Sequence, residues 1–268
     1  MWNISKFLFS IVVLIGLNYQ VSQAQILNAD RLGSKVDSSN TFRGVFDFGM
    51  SMKKQTDLII SFNTKLDLSY WFKRNVLMLV GKFNLFRTGS DNLINGGYGH
   101  LRLRILHDHW IHPEVFAQYQ QDGVRGMETR ILAGANTRYK VVEYDKGHVH
   151  LGFGAMYEYE RWNYTGVPST ITIIDDTPIG NHYIKLNLYA SYLQNIGKVM
   201  DIQTIMYVQS RPDSQIIYPR ISGNIALGFK ITKHIRISMR YSMFYDAAPP
   251  VPVPNLNFSM INKISFIW

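Results

Sequence analysis

Eight side chains between residues 102 and 150 carry most of the chemistry this sequence offers: Arg102, Arg104, His112, Glu114, Arg130, Arg138, His148 and His150. A carboxylate set among arginines can act in two ways. In a water-filled passage, a ring of cations selects the sign of the ion that passes, and the group would be an anion-selective constriction or a ligand site. In a narrow interior the same groups pair with one another and fill space, as small barrels do, and this is the preferred reading. Metal chemistry finds little support. His107, Asp108, His109 and His112 are neighbours in sequence, but they fall in a turn that leaves their directions unconstrained and fixes no further ligand. His148 and His150 share a strand face, and two side chains are not a site. A lipid hydrolase would need a histidine and a serine, oriented by a third polar group, on the lipid-facing surface. The strand histidines considered for it, His100, His112, His148 and His150, face inward by parity, with no outward His-x-Ser pair. No cofactor, metal or catalytic centre is expected.

The elements that must hold these groups are strands. The chain ends with Leu256, Phe258, Met260, Ile264, Phe266 and Trp268 on one alternation and Asn257, Ser259, Lys263 and Ser265 on the other. Successive strand residues point to opposite faces, so this pattern suits a strand with one face on hydrocarbon and one on a polar lumen. A terminal aromatic also resembles the signal by which bacterial outer-membrane barrels are recognised by their assembly machinery. The same period recurs about twelve times. It runs from Phe42 to Met52, Asp57 to Phe72, Val76 to Phe86 (less polar inside), Asn95 to Leu106, about Glu114 to Gln120, Arg130 to Lys140, His148 to Glu160, Ile184 to Tyr192, Met200 to Val208, Ile217 to Ile231 and Ile235 to Tyr245, and ends in the closing strand. The fold class predicted is an all-β transmembrane antiparallel barrel of about 12 strands, at 41–268.

Tyr70, Tyr119, Tyr139, Tyr157, Tyr159, Tyr241, Tyr245 and Trp268 fall on the outward face, several near strand ends, as in the aromatic girdles of membrane barrels. With the N-terminus in the periplasm, alternate turns should be short and periplasmic; they fall near Lys73–Asn75, Asp108, Asp145–Gly147, Asn195–Lys198 and Thr232–His234, and four of the five read as short. Arg87–Leu93, Asp122–Glu128, Asn163–Gly180 and Ala247–Pro254 read as external loops. The last holds Pro249, Pro250, Pro252 and Pro254, which lack amide donors, so it is no interior strand.

Composition narrows the class further. Met1 to Ala24 carries one cation, Lys6, an apolar run from Phe7 to Leu17 and a Ser22-Gln23-Ala24 site, and resembles a secretory signal peptide; 25–40 would be a short periplasmic segment. No later run is long and apolar enough for a membrane helix, so a membrane-spanning mature chain must be a barrel. The chain has no cysteine, hence no disulfide and no lipidation site. Its 28 Lys+Arg against 19 Asp+Glu lack a compact basic run or an aromatic-basic RNA motif. The basic balance therefore points to anionic lipid head groups and lumen cations rather than nucleic acid.

Three stretches carry a family resemblance: Asn95-Gly96-Gly97-Tyr98-Gly99-His100-Leu101-Arg102, Pro113-Glu114-Val115-Phe116-Ala117-Gln118-Tyr119-Gln120 and Arg125-Gly126-Met127-Glu128-Thr129-Arg130-Ile131-Leu132-Ala133-Gly134-Ala135. They resemble domain-of-unknown-function family 481, which includes the YdiY-like salt-induced outer-membrane proteins. The signal-peptide ending and residues Gln25 to Leu32 resemble members from the Bacteroidetes group. The resemblance implies a Gram-negative outer-membrane barrel and brings no catalytic residues with it. The sequence thus predicts a monomeric or weakly oligomeric, non-enzymatic barrel with a structural or envelope-adaptive role. A narrow, porin-like passage for small, anionic solutes is one alternative. Docking in an envelope or secretion assembly, through the loops around Asn163–Gly180 and Ala247–Pro254, is another.

Overall fold

The computed structural model describes residues 40–54, 58–88, 91–106 and 108–268. The signal-peptide segment and residues 25–39 lie outside the described residues, as does His107. Twelve strands follow in order: β1 (Thr41–Lys54), β2 (Leu58–Phe72), β3 (Asn75–Thr88), β4 (Asp91–Arg104), β5 (Ile111–Asp122), β6 (Met127–Tyr144), β7 (Gly147–Trp162), β8 (Ile179–Ile196), β9 (Met200–Ser210), β10 (Arg220–Lys230), β11 (Ile235–Asp246) and β12 (Leu256–Ile267). Each pairs antiparallel with its sequence neighbours, and β1 returns to β12, closing the barrel that the alternation predicts.

β5 shows why the chain closes this way. His112, Glu114, Phe116, Gln118, Gln120 and Asp122 are buried, whereas Val115, Ala117 and Tyr119 on the opposite parity are exposed. A sheet facing water would expose its polar residues. Here the polar residues are inside, so the surroundings that favour the outer face are hydrocarbon. Leu101, Ile131, Phe153, Leu188, Ile225 and Phe258 continue the exposed apolar face around the wall. Tyr70, Tyr139 and Trp268 lie toward the end that holds the start of β1 and the end of β12, joined there by Trp110, Tyr144 and Tyr192. Tyr119, Tyr157, Tyr159 and Tyr245 lie toward the opposite, loop end, with Tyr241 nearer mid-height.

The turns at the terminal end are short, with only Lys73 and Arg74 between β2 and β3 and only Asp145 and Lys146 between β6 and β7. Strand limits differ from the sequence reading in several places, among them β6, which runs Met127–Tyr144 rather than Arg130–Lys140. Residues 87–93 are mostly strand, because β3 reaches Thr88 and β4 begins at Asp91. β10 begins at Arg220 rather than Ile217, and β8 begins at Ile179 rather than Ile184. Where a hairpin rises past the hydrocarbon, ladder hydrogen bonds still hold it but both faces tolerate polar groups, so alternation stops marking its end.

Two connections read as external loops fold over the mouth instead. Val251 and Val253 from the proline-rich segment are buried against Met127 and Trp162, with Tyr164, Val167 and Ile179 around them. The prolines keep this segment extended, and its two valines fill the barrel mouth. The β5–β6 connection locks under it through a 3-10 turn at Gly123–Arg125 and Gly126, whose φ of 75° is left-handed. A Cβ on Gly126 would lie 2.4 Å from the Asn163 carbonyl oxygen, whereas Gly197, also left-handed, has open space around it. Both Gly→Ala changes carry the left-handed strain of about 1–3 kcal/mol, and Gly126→Ala adds a backbone clash. Gly126→Ala is therefore expected to lower the temperature of the barrel's heat-dependent gel shift further than Gly197→Ala. Equal shifts would mean that the Asn163 contact does not anchor the mouth.

Candidate functional site: the charged interior

The inner wall holds two separate ion networks where the sequence pointed to one. Toward the terminal end, Arg104 and Glu114 are cross-strand partners on β4 and β5, with Arg104 Nε donating to Glu114 Oε1 at 2.7 Å. Arg102, one step along the same face, reaches Glu114 Oε2 at 3.3 Å, and the Tyr189 hydroxyl donates to that oxygen at 2.7 Å from β8. Arg102 also lies over the Phe116 and Tyr189 rings. His112 pairs in register with Arg138, and its ring sits 5.9 Å from that of His150, which is 4.6 Å from His148. His112 Nε2 lies 2.7 Å from the His109 carbonyl oxygen. Among the described residues, no three acidic, histidine or cysteine side chains converge as a metal site.

Arg130 belongs to the second network, nearer the loop end. Its Nε donates to Glu158 at 2.5 Å, and its terminal nitrogens reach Gln120 and Gln209. Glu158 also takes the Lys185 ammonium and, at 2.9 Å, the Arg220 guanidinium. Arg220 further meets Glu160 at 3.0 Å and Asp246 at 2.8 Å, and the Trp162 indole donates to Glu160 at 2.7 Å. Asp246 is the cross-strand partner of Arg220, but Glu158 and Glu160 are on β7, three strands away. The bridge therefore cuts across the lumen.

Sequence reasoning passed over Lys185, Arg220, Asp246 and Tyr189. Parity marks the first three as inward, but nothing local signals contacts between β7 and β10 or β5 and β8. It also passed over His182. The earlier start of β8 puts this histidine on the outer face, where its Nδ1 lies 2.5 Å from the Tyr157 hydroxyl and its ring lies beside Tyr159. Position 184, where a His-x-Ser pair would place serine, holds Ile184, so His182 joins the aromatic rim without a paired nucleophile.

Under the mouth, Arg125 is 4% exposed and sits over the rings of Phe244 (4.5 Å) and Trp162 (5.3 Å). Burial lowers its proton affinity, and the charge of Asp122 partly restores it. In the β9–β10 connection, Asp213 accepts the Gln215 amide and the Arg211 guanidinium, which hold its carboxyl below the usual range. Arg211 in turn lies over Tyr183 at 4.5 Å. Beside them a cavity of about 160 Å³ opens among Glu160, Lys185, Arg220 and Asp246, and one of about 520 Å³ opens at the terminal end among Arg43, Lys230, Lys233 and Arg236. The interior between them is crossed by the two networks and by apolar clusters such as Phe116, Leu132 and Met156.

The family described as a protein of unknown function, DUF481, matches residues 46–253. The chain belongs to this family. That match takes in the whole Arg104–Glu114 hairpin and the Glu158–Arg220 bridge, so both networks lie in the part of the chain that makes it a DUF481 protein. Among solved structures, it is similar to an outer membrane channel from Pseudomonas putida F1, at TM-score 0.50 and 10% identity over 87% of this chain and 97% of that one. A NanC porin aligns at TM-score 0.49 and 12% identity over 84% of this chain and 99% of that one. No curated protein matches the chain. The DUF481 barrel thus shares the fold of an outer-membrane channel, and its apolar outer wall suits it to a lipid bilayer.

Proposed function

We propose that this protein is a narrow, non-enzymatic outer-membrane passage that favours small anions. The observation that carries this reading is the interior balance. Among the described residues, eleven buried Lys and Arg face eight buried Asp and Glu. Buried charge without a counter-charge is costly, so the surplus favours anions and water in the lumen over cations. The cross-lumen bridges narrow the path, which excludes bulky solutes. Export by the N-terminal segment, assembly through the aromatic-ended closing strand and a periplasmic terminal end complete the proposal.

The test is current through the purified barrel in planar bilayers under a KCl gradient. Small currents with a reversal potential displaced toward that of chloride are expected. Cation preference, or complete absence of current at every voltage, would overturn the reading.

A further inference from the structure

Arg125 is a buried cation without a hydrogen-bond acceptor. Its side chain projects from the 3-10 turn beneath the mouth, the residue is 4% exposed, and among the described residues no acceptor reaches its Nε, Nη1 or Nη2. Arg220 shows the contrast. It lies over the same Phe244 ring, at 5.9 Å, yet its Nε donates to Asp246, its Nη1 to Glu158 and its Nη2 to Glu160. Asp122, Asp246 and Glu160 act on the charge of Arg125, and none of them accepts a hydrogen bond from it. The Phe244 and Trp162 rings offset part of the lost hydration, but they leave a fork of N–H donors with no lone pair to meet.

The backbone that carries this side chain is clamped. Gly126 bonds back to Gly123, the Asn163 amide bonds to Gly126, and Gly166 packs so closely that a Cβ there would lie 2.3 Å from the Arg125 carbonyl carbon. The cover is held differently. Val251 and Val253 pack on Trp162, the ring that also meets Arg125. Four of the eight residues from Ala247 to Pro254 are prolines without an amide proton, and the Val253 amide bonds to Val251 in the same segment. Among the described residues, hydrogen bonds tie the segment to the barrel only at its base, from Ala247 to Pro219 and from Asn257 to Pro254, beside the Asp246–Asn255 pair. Ala248 and Pro250 line the 160 Å³ cavity, which leaves empty space on that side of the segment.

We propose that Arg125 is a covered oxyanion-binding residue and that Ala247–Pro254 is the lid over it. A planar guanidinium with unengaged Nε and Nη donors fits the two oxygens of a carboxylate or a phosphate, a match that a spherical ion cannot make. With the lid down, Arg125 bears the cost of burial without an acceptor. With the lid lifted about its Asp246–Asn255 base, an oxyanion meets the fork, and it favours that state because only there can it bind. The prolines let the segment swing as one stiff piece. This site rests on the reading of the mouth as an anion entrance, but thiol labelling reports the site and bilayer current reports the passage, so the two fail separately.

The chain has no cysteine, so Val253→Cys places a single thiol under the lid, and Ile174→Cys, at a residue 99% exposed, places one outside it. Each full-length variant is purified in an uncharged detergent, checked for the heat-dependent gel shift, and labelled with an uncharged maleimide at one pH and one ionic strength in potassium chloride, phosphate or acetate. Phosphate or acetate at about ten times its dissociation constant for the lifted state should speed labelling of Val253→Cys about tenfold over chloride, and labelling of Ile174→Cys not at all. Adding Arg125→Met to Val253→Cys should abolish that response and slow labelling in chloride. It should also raise the temperature of the gel shift, because an apolar chain replaces a buried charge. Arg125→Lys keeps the charge without the fork and should respond less than its parent. Labelling of Val253→Cys that ignores both oxyanions, an equal rise at Ile174→Cys, or an Arg125→Met barrel that still responds or unfolds at a lower temperature would overturn the proposal.

Discussion

Glu158→Gln is expected to destabilise the barrel more than any other single charge removal in its interior. Glu158 is fully buried and is shared by Arg130, Lys185 and Arg220, three cations from three strands. Glutamine keeps the volume and can still accept hydrogen bonds, but it removes the charge that the three cations share. Glu160 and Asp246 would then be the only carboxylates left to them in this network. Breaking a buried pair from one side costs roughly 3–5 kcal/mol, against about 0–1 kcal/mol for a pair exposed to water. The temperature at which the variant changes gel mobility should fall markedly, with lower yields of folded protein. Arg130→Gln in the same chain should recover part of the loss, because one stranded cation is removed with its partner. A Glu158→Gln barrel as heat-resistant as the wild type would show that water screens this network and that the loop end is open.

Glu114→Ala separates a space-filling network from an open constriction in the terminal half of the barrel. Glu114 is buried, and it gathers Arg102, Arg104 and the Tyr189 hydroxyl of β8, three strands away. If these groups fill the interior, the variant loses heat resistance on the scale of roughly 3–5 kcal/mol while its conductance stays as small as that of the wild type. If they line an open constriction, stability hardly changes. The freed arginines would then strengthen anion preference, since charge at the narrowest point sets the sign of the permeant ion. The first outcome is expected, because Tyr189 reaches Glu114 across the lumen and apolar side chains occupy the space beside them. A stable Glu114→Ala barrel with larger anion current would reverse that expectation.

The folding of Val251 and Val253 into the mouth changes what the loops can do. As external loops, the stretches Asn163–Gly180 and Ala247–Pro254 would offer their apolar residues to a partner. In the structure, those two valines, Val167 and Tyr164 pack together over Trp162 and Met127. The mouth is thus partly filled by the chain's own side chains, which the proposed passage would have to skirt. The adjacent 160 Å³ cavity, lined by Glu160, Lys185 and Arg220, opens beside this closure.

Much of the architecture was legible in the residues alone, because a barrel wall in lipid imposes one rule at every position. Tyr119 and Gln118 are adjacent, yet one faces hydrocarbon and the other the lumen, and only a period of two satisfies both solvents over twelve strands. The outward aromatics from Tyr70 to Trp268 and the Arg104–Glu114 pair follow from the same parity, since a short turn fixes which residues oppose each other across a hairpin. Parity carries no information about contacts between strands that are not neighbours. That Arg220 on β10 reaches Glu158 on β7, and that Tyr189 reaches Glu114, depends on barrel diameter and stagger, which emerge only when the sheet closes. His182 was passed over for a related reason, as β8 continues beyond the hydrocarbon where no solvent difference marks its faces. The inward path of the proline-rich segment was decided by the apolar space left between Met127 and Trp162, two residues that are 35 positions apart in the chain and opposed in the sheet.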